Sequence, residues 1–235
     1  MDNEQKSRMY ANTKTWNPFV GCRYNCIYCK PSFQAQLKRR KKACLECYNY
    51  HPHKHEERLN IIPSAKIVFV SGCGDISFCS SEYTYRIIDR IKEHNSKCPY
   101  KTYYFQSKNP RYFKQFLEVF PDNVILLTTL ETNRDENYEE ISKAPKPSVR
   151  YRDFLQLDYP RKVITIEPLM DFDLDIFTEW IVRINPEYVW LGFNSRPKQV
   201  QLPEPSLEKA QKLIEKLKDN GIEIKPRCET RELKF

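Results

Sequence analysis

The sequence lacks a run of apolar residues long enough to cross a membrane, and its first ten residues, MDNEQKSRMY, are polar. A membrane-spanning helix needs about 20 predominantly apolar residues, and a secretory signal needs an apolar central segment. The sequence has nine cysteines, an odd number. In the disulfide framework of a small secreted protein every cysteine is paired, so an odd count argues against such a framework. We therefore expect a cytoplasmic protein whose reduced cysteines bind metal.

The composition is that of a folded, mildly basic protein. Hydrophobic residues make up 40% of the 235 residues and aromatic residues 13%, which is enough for a core and excludes global disorder. The length suits one α/β domain over residues 15–235, preceded by a polar arm over residues 1–14. Lysine and arginine outnumber the acids by 39 to 31, a net charge of +8 that is compatible with a nucleic acid or another anionic partner.

Residues 15–30, TWNPFVGCRYNCIYCK, contain Cys22, Cys26 and Cys29 in the spacing C-x3-C-x2-C. We call residues 22–29 the three-cysteine loop. Thiolates are the usual protein ligands of iron–sulfur clusters, and three of them can hold three irons of a four-iron cluster while the fourth iron stays open. Structural zinc is the alternative, but such a site needs four ligands and this loop offers three.

A second group of potential metal ligands lies in CLECYNYHPHKH, residues 44–55, where a C-x2-C motif is followed at once by three histidines. Thiolate pairs with nearby imidazoles are typical zinc ligands. We predict a tetrahedral zinc site in an accessory knuckle over residues 43–60; a second iron–sulfur cluster and a metal-free loop are the alternatives. The predicted ligands are Cys44, Cys47, His53 and His55, with His51 as a substitute for either histidine.

Short apolar runs alternate with helical patterns along the rest of the chain. Continuous apolarity is typical of strands covered on both faces of a parallel sheet. The five runs are residues 67–70, 102–105, 124–127, 163–166 and 188–191. With a first strand at residues 16–20 they make six strands, fewer than the eight of a closed barrel. The alternation predicts an α/β fold, either an open partial barrel or a doubly wound sheet.

Helical patterns occupy the segments between these runs. Apolar residues recur at helical spacing over residues 85–91, 174–184 and 207–217. Residues 27–42 also predict a helix, which ends in the basic run KRRKK, either a solvated helix face or a patch that faces phosphates. Residues 142–158, with two prolines and several charges, predict a long surface excursion.

Polar residues follow each of the five runs, in the segments SGCGD, QSKNP, TTLETN, EPL and GFNSRP. In parallel α/β folds, ligands bind at the carboxyl ends of the strands. This regular placement favours one common site.

The order TWNPFVGC, GCGDISF, SKNP, TLETN and EPL, behind C-x3-C-x2-C, resembles the phage Gp37/Gp68-type branch of the radical S-adenosylmethionine (SAM) superfamily over roughly residues 15–200. That branch is similar to the spore photoproduct lyases. The resemblance implies a partial (β/α)6 TIM-type barrel with a [4Fe-4S] cluster that cleaves SAM to a 5′-deoxyadenosyl radical. It also implies a flavodoxin- or ferredoxin-type electron donor.

The resemblance implies roles for individual residues. Cys22, Cys26 and Cys29 ligate the cluster, and Cys73, in a position comparable to a lyase cysteine, donates a hydrogen atom to a substrate radical. The loop GCGD departs from the lyase pattern, and a buried thiol is the alternative for Cys73. The expected SAM-binding residues are Tyr28 beside SAM, the Ser71 and Gly72 backbone at its amino group, Lys108 at its carboxylate, Thr129 and Glu131 at its ribose, and Glu167 at SAM or substrate. An ion pair between Lys108 and Glu131 is the alternative for those two residues.

The predicted function is that of a radical SAM enzyme that modifies or repairs a nucleic acid or nucleotide. The net charge, the basic run over residues 38–42 and the lyase resemblance all favour this substrate class. One alternative is radical SAM modification of a peptide or protein. The other is a zinc-dependent nucleic-acid-binding protein without radical chemistry.

Overall fold

The computed structural model describes residues 13–226 and 233–235, which form a curled, seven-stranded parallel half-barrel. The sheet is open, because its two edge strands are not paired with each other. In spatial order its strands are β1 (Thr13–Trp16), β4 (Ile67–Val70), β5 (Thr102–Gln106), β6 (Val124–Thr129), β7 (Lys162–Ile166), β8 (Tyr188–Leu191) and β9 (Ile224–Pro226). A separate antiparallel pair joins β2 (Phe19–Val20) to β3 (His53–Lys54).

Four longer helices cover the outer face of the sheet. They are α3 (Ser81–Asn95), α5 (Pro147–Leu155), α6 (Leu174–Ile184) and α7 (Leu207–Asp219), and the short helices are α1 (Ala35–Leu37), α2 (Leu45–Asn49) and α4 (Tyr138–Ile141). Ser206 caps α7 by accepting a hydrogen bond from the Lys209 amide. None of the described helices combines the length and apolar composition needed to cross a bilayer.

Alternate residues of one strand belong to different cores. Tyr103 and Phe105 of β5 pack in the large core between sheet and helices. Tyr104, between them, packs inside the half-barrel with Phe69 and Tyr188. Since strand side chains alternate in direction, both faces of the sheet are buried. This explains why the strands are continuously apolar in sequence. The curled, open parallel sheet confirms the predicted partial-barrel fold.

The sheet differs from the prediction at both ends. The single strand predicted over residues 16–20 is two strands, and Pro18, which has no amide hydrogen for a ladder, lies between them. Strand β9 brings the sheet to seven strands rather than six, and its sequence IKP is too short and polar to be recognised. Residues 1–12 of the predicted polar arm lie outside the described residues, and residues 13 and 14 belong to β1.

The helix predicted over residues 27–42 is irregular. It consists of 3-10 turns at Ile27–Cys29 and Lys38–Arg40, a π-helical turn at Lys30–Gln34, and α1. The Ser32 hydroxyl lies 3.0 Å from the Tyr28 carbonyl oxygen and 3.2 Å from that of Cys29. A side chain that donates to these carbonyls competes with regular helical hydrogen bonds.

The surface excursion predicted over residues 142–158 is wrong, because the segment contains α5. Pro147 occupies the first turn of this helix, where the missing amide hydrogen of proline costs nothing. Arg150 and Phe154 of α5 are fully buried. Pro147 marks a helix start rather than a loop.

Gly21 is the point where the chain entering the three-cysteine loop contacts the knuckle. Its φ is 99°, and a Cβ atom there would lie 2.1 Å from the His51 carbonyl oxygen. Gly21 also forms a bridge with Gly74, whose own Cβ would lie 2.5 Å from the Gly21 oxygen. Only glycine permits this close approach of three backbone segments.

We predict that Gly21→Ala lowers the free energy of unfolding by about 3 kcal/mol or more, because backbone strain adds to a collision with backbone atoms. Gly221→Ala is the matched control, since Gly221 also has positive φ, 76°, but has open space around it. Its cost should be about 1–2 kcal/mol. Urea unfolding of both variants measures the difference, and equal losses would contradict the close-approach argument.

Candidate active site

A cavity of about 450 Å³ lies at the carboxyl ends of the strands. Its lining comes from the three-cysteine loop, from the last residues of β5 and β6, and from the segments that follow β4, β5, β7 and β8. Eight of the predicted site residues line it: Cys22, Cys26, Cys29, Tyr28, Gly72, Lys108, Thr129 and Glu167. Arg196, which follows β8, is an exposed cation on the same wall.

The three cysteines of the loop share this cavity but are not positioned around a single ion. Their sulfur atoms do not all lie within 4.8 Å of one another. The Cys26 sulfur is 3.0 Å from the Ser142 hydroxyl, and the Cys29 sulfur is 3.8 Å from the Tyr50 hydroxyl. Three thiols of one loop that line one cavity are a donor set that an iron–sulfur cluster can use.

Burial favours the protonated form of Cys22 and Cys29. It raises the pKa of Cys29 to about 11, and the neighbouring Cys26 adds to the rise. Burial also raises the pKa of Cys22, with a further contribution from the Asp75 carboxylate. Metal ligation requires thiolates, so binding of a positively charged group at the loop must displace these protons.

Glu131, two residues after β6, is a fully buried carboxylate that contacts two cations. Its Oε2 atom is 2.7 Å from Arg150 Nη2, and its Oε1 atom contacts Lys108 Nζ. Two phenols, Tyr28 and Tyr138, donate to the same Oε1 atom. Burial alone would raise the pKa of Glu131, but the two cations hold it at about 2. The carboxylate is therefore ionised. It holds Lys108 and Tyr28, both of which line the cavity.

This network bears on two of the predicted SAM contacts. Lys108 lines the cavity, but its ammonium group also contacts Tyr28 and Glu131. Glu131 itself is not part of the cavity lining. The structure thus contains the ion pair that was the alternative for Lys108 and Glu131. Burial alone would lower the pKa of Lys108, but the neighbouring Cys26 and the Glu131 carboxylate raise it above its usual value.

The loop after β4 contains three of the predicted site residues, Ser71, Gly72 and Cys73, and only Gly72 lines the cavity. Ser71 is buried with φ of 54°, a strained value for a residue with a side chain, and its amide donates to the Trp16 carbonyl oxygen at 2.7 Å. The chain reversal at Ser71 leaves Gly72 in the cavity wall. Cys73 does not line the cavity and packs against Val20 and Cys47. Cys73 is half-buried, and its predicted hydrogen-atom donation stays a prediction.

Sequence reasoning missed four residues that support the site. Tyr138 and Arg150 contact Glu131, and Ser142 and Tyr50 contact the sulfurs of the loop. Arg150 lies in a polar segment and is buried only because of a tertiary ion pair, so no local pattern reports it. Tyr50 lies inside the predicted knuckle and is identifiable only once that knuckle is seen to contact the loop.

The structure also brings the four predicted ligands of the knuckle together. One ligand atom from each of Cys44, Cys47, His53 and His55 lies within 4.8 Å of the other three. The ring of His51 instead lies 3.0 Å from Glu46 and is exposed. His51 is therefore not positioned to replace either of the other two histidines.

The sequence matches no protein-family model and no curated protein. The fold is similar to that of a radical SAM methyltransferase from Sphaerobacter thermophilus, with a TM-score of 0.57 and 15% identity over 92% of this chain and 65% of that one. It is also similar to TYW1 with a lysine-pyruvate adduct bound, with a TM-score of 0.52 and 16% identity over 89% and 74%.

A third similar structure is a spore photoproduct lyase variant with dinucleoside spore photoproduct, with a TM-score of 0.55 and 10% identity over 90% of this chain and 75% of the lyase. The half-barrel is thus similar in fold to these three radical SAM and lyase structures. At these identities the likeness establishes the fold alone. The chain spans just under two thirds of the length of the methyltransferase.

We predict that Glu131→Gln lowers the free energy of unfolding by about 3–5 kcal/mol near neutral pH, because it leaves two buried cations without their carboxylate. Ionised Glu131 stabilises the fold above the usual pKa of 4.5, and this contribution is lost as the pH falls towards the folded pKa of about 2. The difference between wild type and variant should therefore shrink between pH 5 and pH 3, and urea unfolding at each pH measures it.

Glu139→Gln is the matched control, because Glu139 is an exposed glutamate on the nearby α4. Its effect should stay within about 0.5 kcal/mol at every pH. A penalty for Glu131→Gln that does not change with pH would contradict the ionised, doubly paired carboxylate.

Proposed function

We propose that this protein is a radical SAM enzyme in which Cys22, Cys26 and Cys29 hold a [4Fe-4S] cluster. One observation carries the proposal: three thiols of one loop line the cavity at the carboxyl ends of a half-barrel. That is the end at which parallel α/β folds bind their ligands. When bound and reduced, the cluster supplies the electron that breaks a sulfur–carbon bond of SAM.

The surrounding residues orient the thiolates and shield them. The hydroxyls of Ser142 and Tyr50 lie beside the Cys26 and Cys29 sulfurs, where they can donate to thiolates. Hydrogen bonds to ligand atoms fix their orientation and tune the bound metal. Tyr28, held by Lys108 and Glu131, forms part of the same wall.

The remaining cavity residues suit the polar groups of SAM. Lys108 places a positive charge at the wall, which favours a carboxylate. Thr129, whose hydroxyl accepts a hydrogen bond from Gln106 at 2.7 Å, and Glu167 offer oxygen atoms for hydroxyl groups. The Gly72 backbone is exposed to the cavity and is proposed to contact the amino group. Glu131 acts through Lys108 and Tyr28 rather than on the ribose.

The proposed substrate is a nucleic acid or nucleotide. Residues 38–42, KRRKK, are all exposed. Phe33 and Gln36, from the same irregular helical segment, line the cavity, so the basic run lies close to its rim. Arg196 adds a cation on the wall, and one similar structure contains a dinucleoside photoproduct. Membership of the Gp37/Gp68-type branch and a flavodoxin- or ferredoxin-type electron donor remain predictions from the sequence.

We predict that the Cys22→Ala, Cys26→Ala, Cys29→Ala triple variant, purified without oxygen, loses most of its iron and all reductive cleavage of SAM, because the cluster has no other thiolate set. Iron and sulfide analysis and 5′-deoxyadenosine formed under dithionite are the measurements. Cys98→Ala is the matched control, since Cys98 is a half-buried thiol after α3 and away from the cavity. A triple variant that still forms 5′-deoxyadenosine would overturn the proposal.

Binding of nucleic acid should weaken steeply with salt, by about 0.7–0.9 log units per contacted phosphate for each log unit of salt. Exchanging Lys38, Arg39 and Arg40 for glutamine should reduce that slope while SAM cleavage without substrate is unchanged. The charge-matched control exchanges Lys212, Lys216 and Lys218, which are exposed on α7. Equal slopes for the two triple variants would exclude the basic run as the contact, and no binding at low salt would favour a peptide substrate.

A further inference from the structure

We infer that Cys44, Cys47, His53 and His55 bind one Zn²⁺ ion, and that this ion fixes the part of the knuckle that forms a wall of the three-cysteine site. This second metal site does not depend on the proposed SAM chemistry. The four ligand atoms are spaced for one ion, both imidazoles have hydrogen-bond partners that orient them, and the knuckle contacts the three-cysteine loop.

The ligand atoms are spaced for one small ion. The His53 Nε2 atom is 3.4 Å from both sulfurs, and the His55 Nε2 atom is 3.2 Å from the Cys47 sulfur. Bonds to zinc of about 2.3 Å from sulfur and 2.0–2.1 Å from nitrogen place tetrahedral S and N ligands about 3.5 Å apart. In a two-iron cluster with His and Cys ligands, the cysteines and histidines bind different irons and lie farther apart. The spacing therefore favours a single ion.

Both imidazoles are oriented as zinc ligands. The Nδ1 atom of His53 lies 2.7 Å from the His51 carbonyl oxygen, and that of His55 lies 2.7 Å from the Glu57 carboxylate. Each Nδ1 therefore carries the proton and donates, so each Nε2 presents a lone pair to the centre of the site. The two Nε2 atoms are only 2.8 Å apart. A cation between them and the two sulfurs satisfies all four lone pairs at once.

The ligands enclose the turn that contacts the three-cysteine loop. Tyr50 lies between Cys47 and His53 in the chain and adopts a left-handed backbone conformation, with φ of 59°. Its carbonyl oxygen accepts a hydrogen bond from the Cys22 amide at 3.3 Å, and its hydroxyl is 3.8 Å from the Cys29 sulfur. An ion that binds ligands on both sides of this turn restrains Tyr50 against the loop.

The first test is the zinc content of the whole protein, expressed with zinc and purified without oxygen, measured by mass spectrometry of metals. Wild type should contain one zinc per chain. Cys44→Ser and His53→Ala should each lose most of it while iron at the three-cysteine loop is still loaded. The matched control is His51→Ala, which removes an exposed histidine of the same turn and should keep its zinc.

A zinc-free wild type from zinc-replete medium, or loss of iron rather than zinc in Cys44→Ser, would overturn the assignment. Should either ligand variant fail to fold, cobalt incorporated into wild type during expression gives a second readout. A tetrahedral site with two thiolates then shows visible cobalt bands that zinc displaces. Absence of these bands counts against the site.

The second test addresses the restraint on Tyr50. Iron should be released to a chelator several-fold faster from Cys44→Ser than from His51→Ala, because Tyr50 no longer covers Cys29. Equal rates would overturn the restraint. If wild type binds no iron, the proposed function fails, but zinc content still decides the metal site. Alkylation of Cys29, faster in Cys44→Ser, then replaces iron release as the measure of the restraint.

Discussion

The buried carboxylate of Glu131 is the constraint on which the site depends. An ionised carboxylate without partners is very costly to bury, so Glu131 must meet its cations as the fold forms. Lys108 follows β5 and Arg150 belongs to α5, so the two cations come from different segments. The hydroxyl of Tyr28 adds the three-cysteine loop to the same group. The contacts of the Glu131 carboxylate thus hold the segment after β5, helix α5 and the three-cysteine loop together at the carboxyl ends of the strands.

The opposite side of the loop is held by backbone contact rather than by charge. Gly21 lies against the His51 carbonyl group and pairs with Gly74, and the Cys22 amide donates to the Tyr50 carbonyl oxygen. The loop is therefore fixed between an ion-pair network and the knuckle before any cofactor binds. Side chains of a loop that is already held in place lose little conformational entropy when a ligand binds. The site is preorganised in this sense.

The sequence predicted the parts of this arrangement that depend on local pattern. Strands buried on both faces are continuous apolar runs, and polar residues after parallel strands meet at one edge, so the half-barrel and most of its cavity lining were predictable. Arg150 was not, because its burial depends on a partner distant in sequence. The strained backbone of Ser71, which leaves Gly72 in the cavity and Cys73 outside it, likewise has no sequence pattern.

The cavity also constrains how a nucleic acid could react. A volume of about 450 Å³ lies within the range for one small-molecule ligand, about 300–1,000 Å³. If SAM and a polynucleotide bind here as proposed, the polynucleotide would lie across the mouth of the cavity and present one nucleotide inward. Enzymes that act on a base extrude it in this manner while cationic groups hold the backbone. Exposed Arg196 and the basic run over residues 38–42 provide cations at the rim, where that backbone would pass.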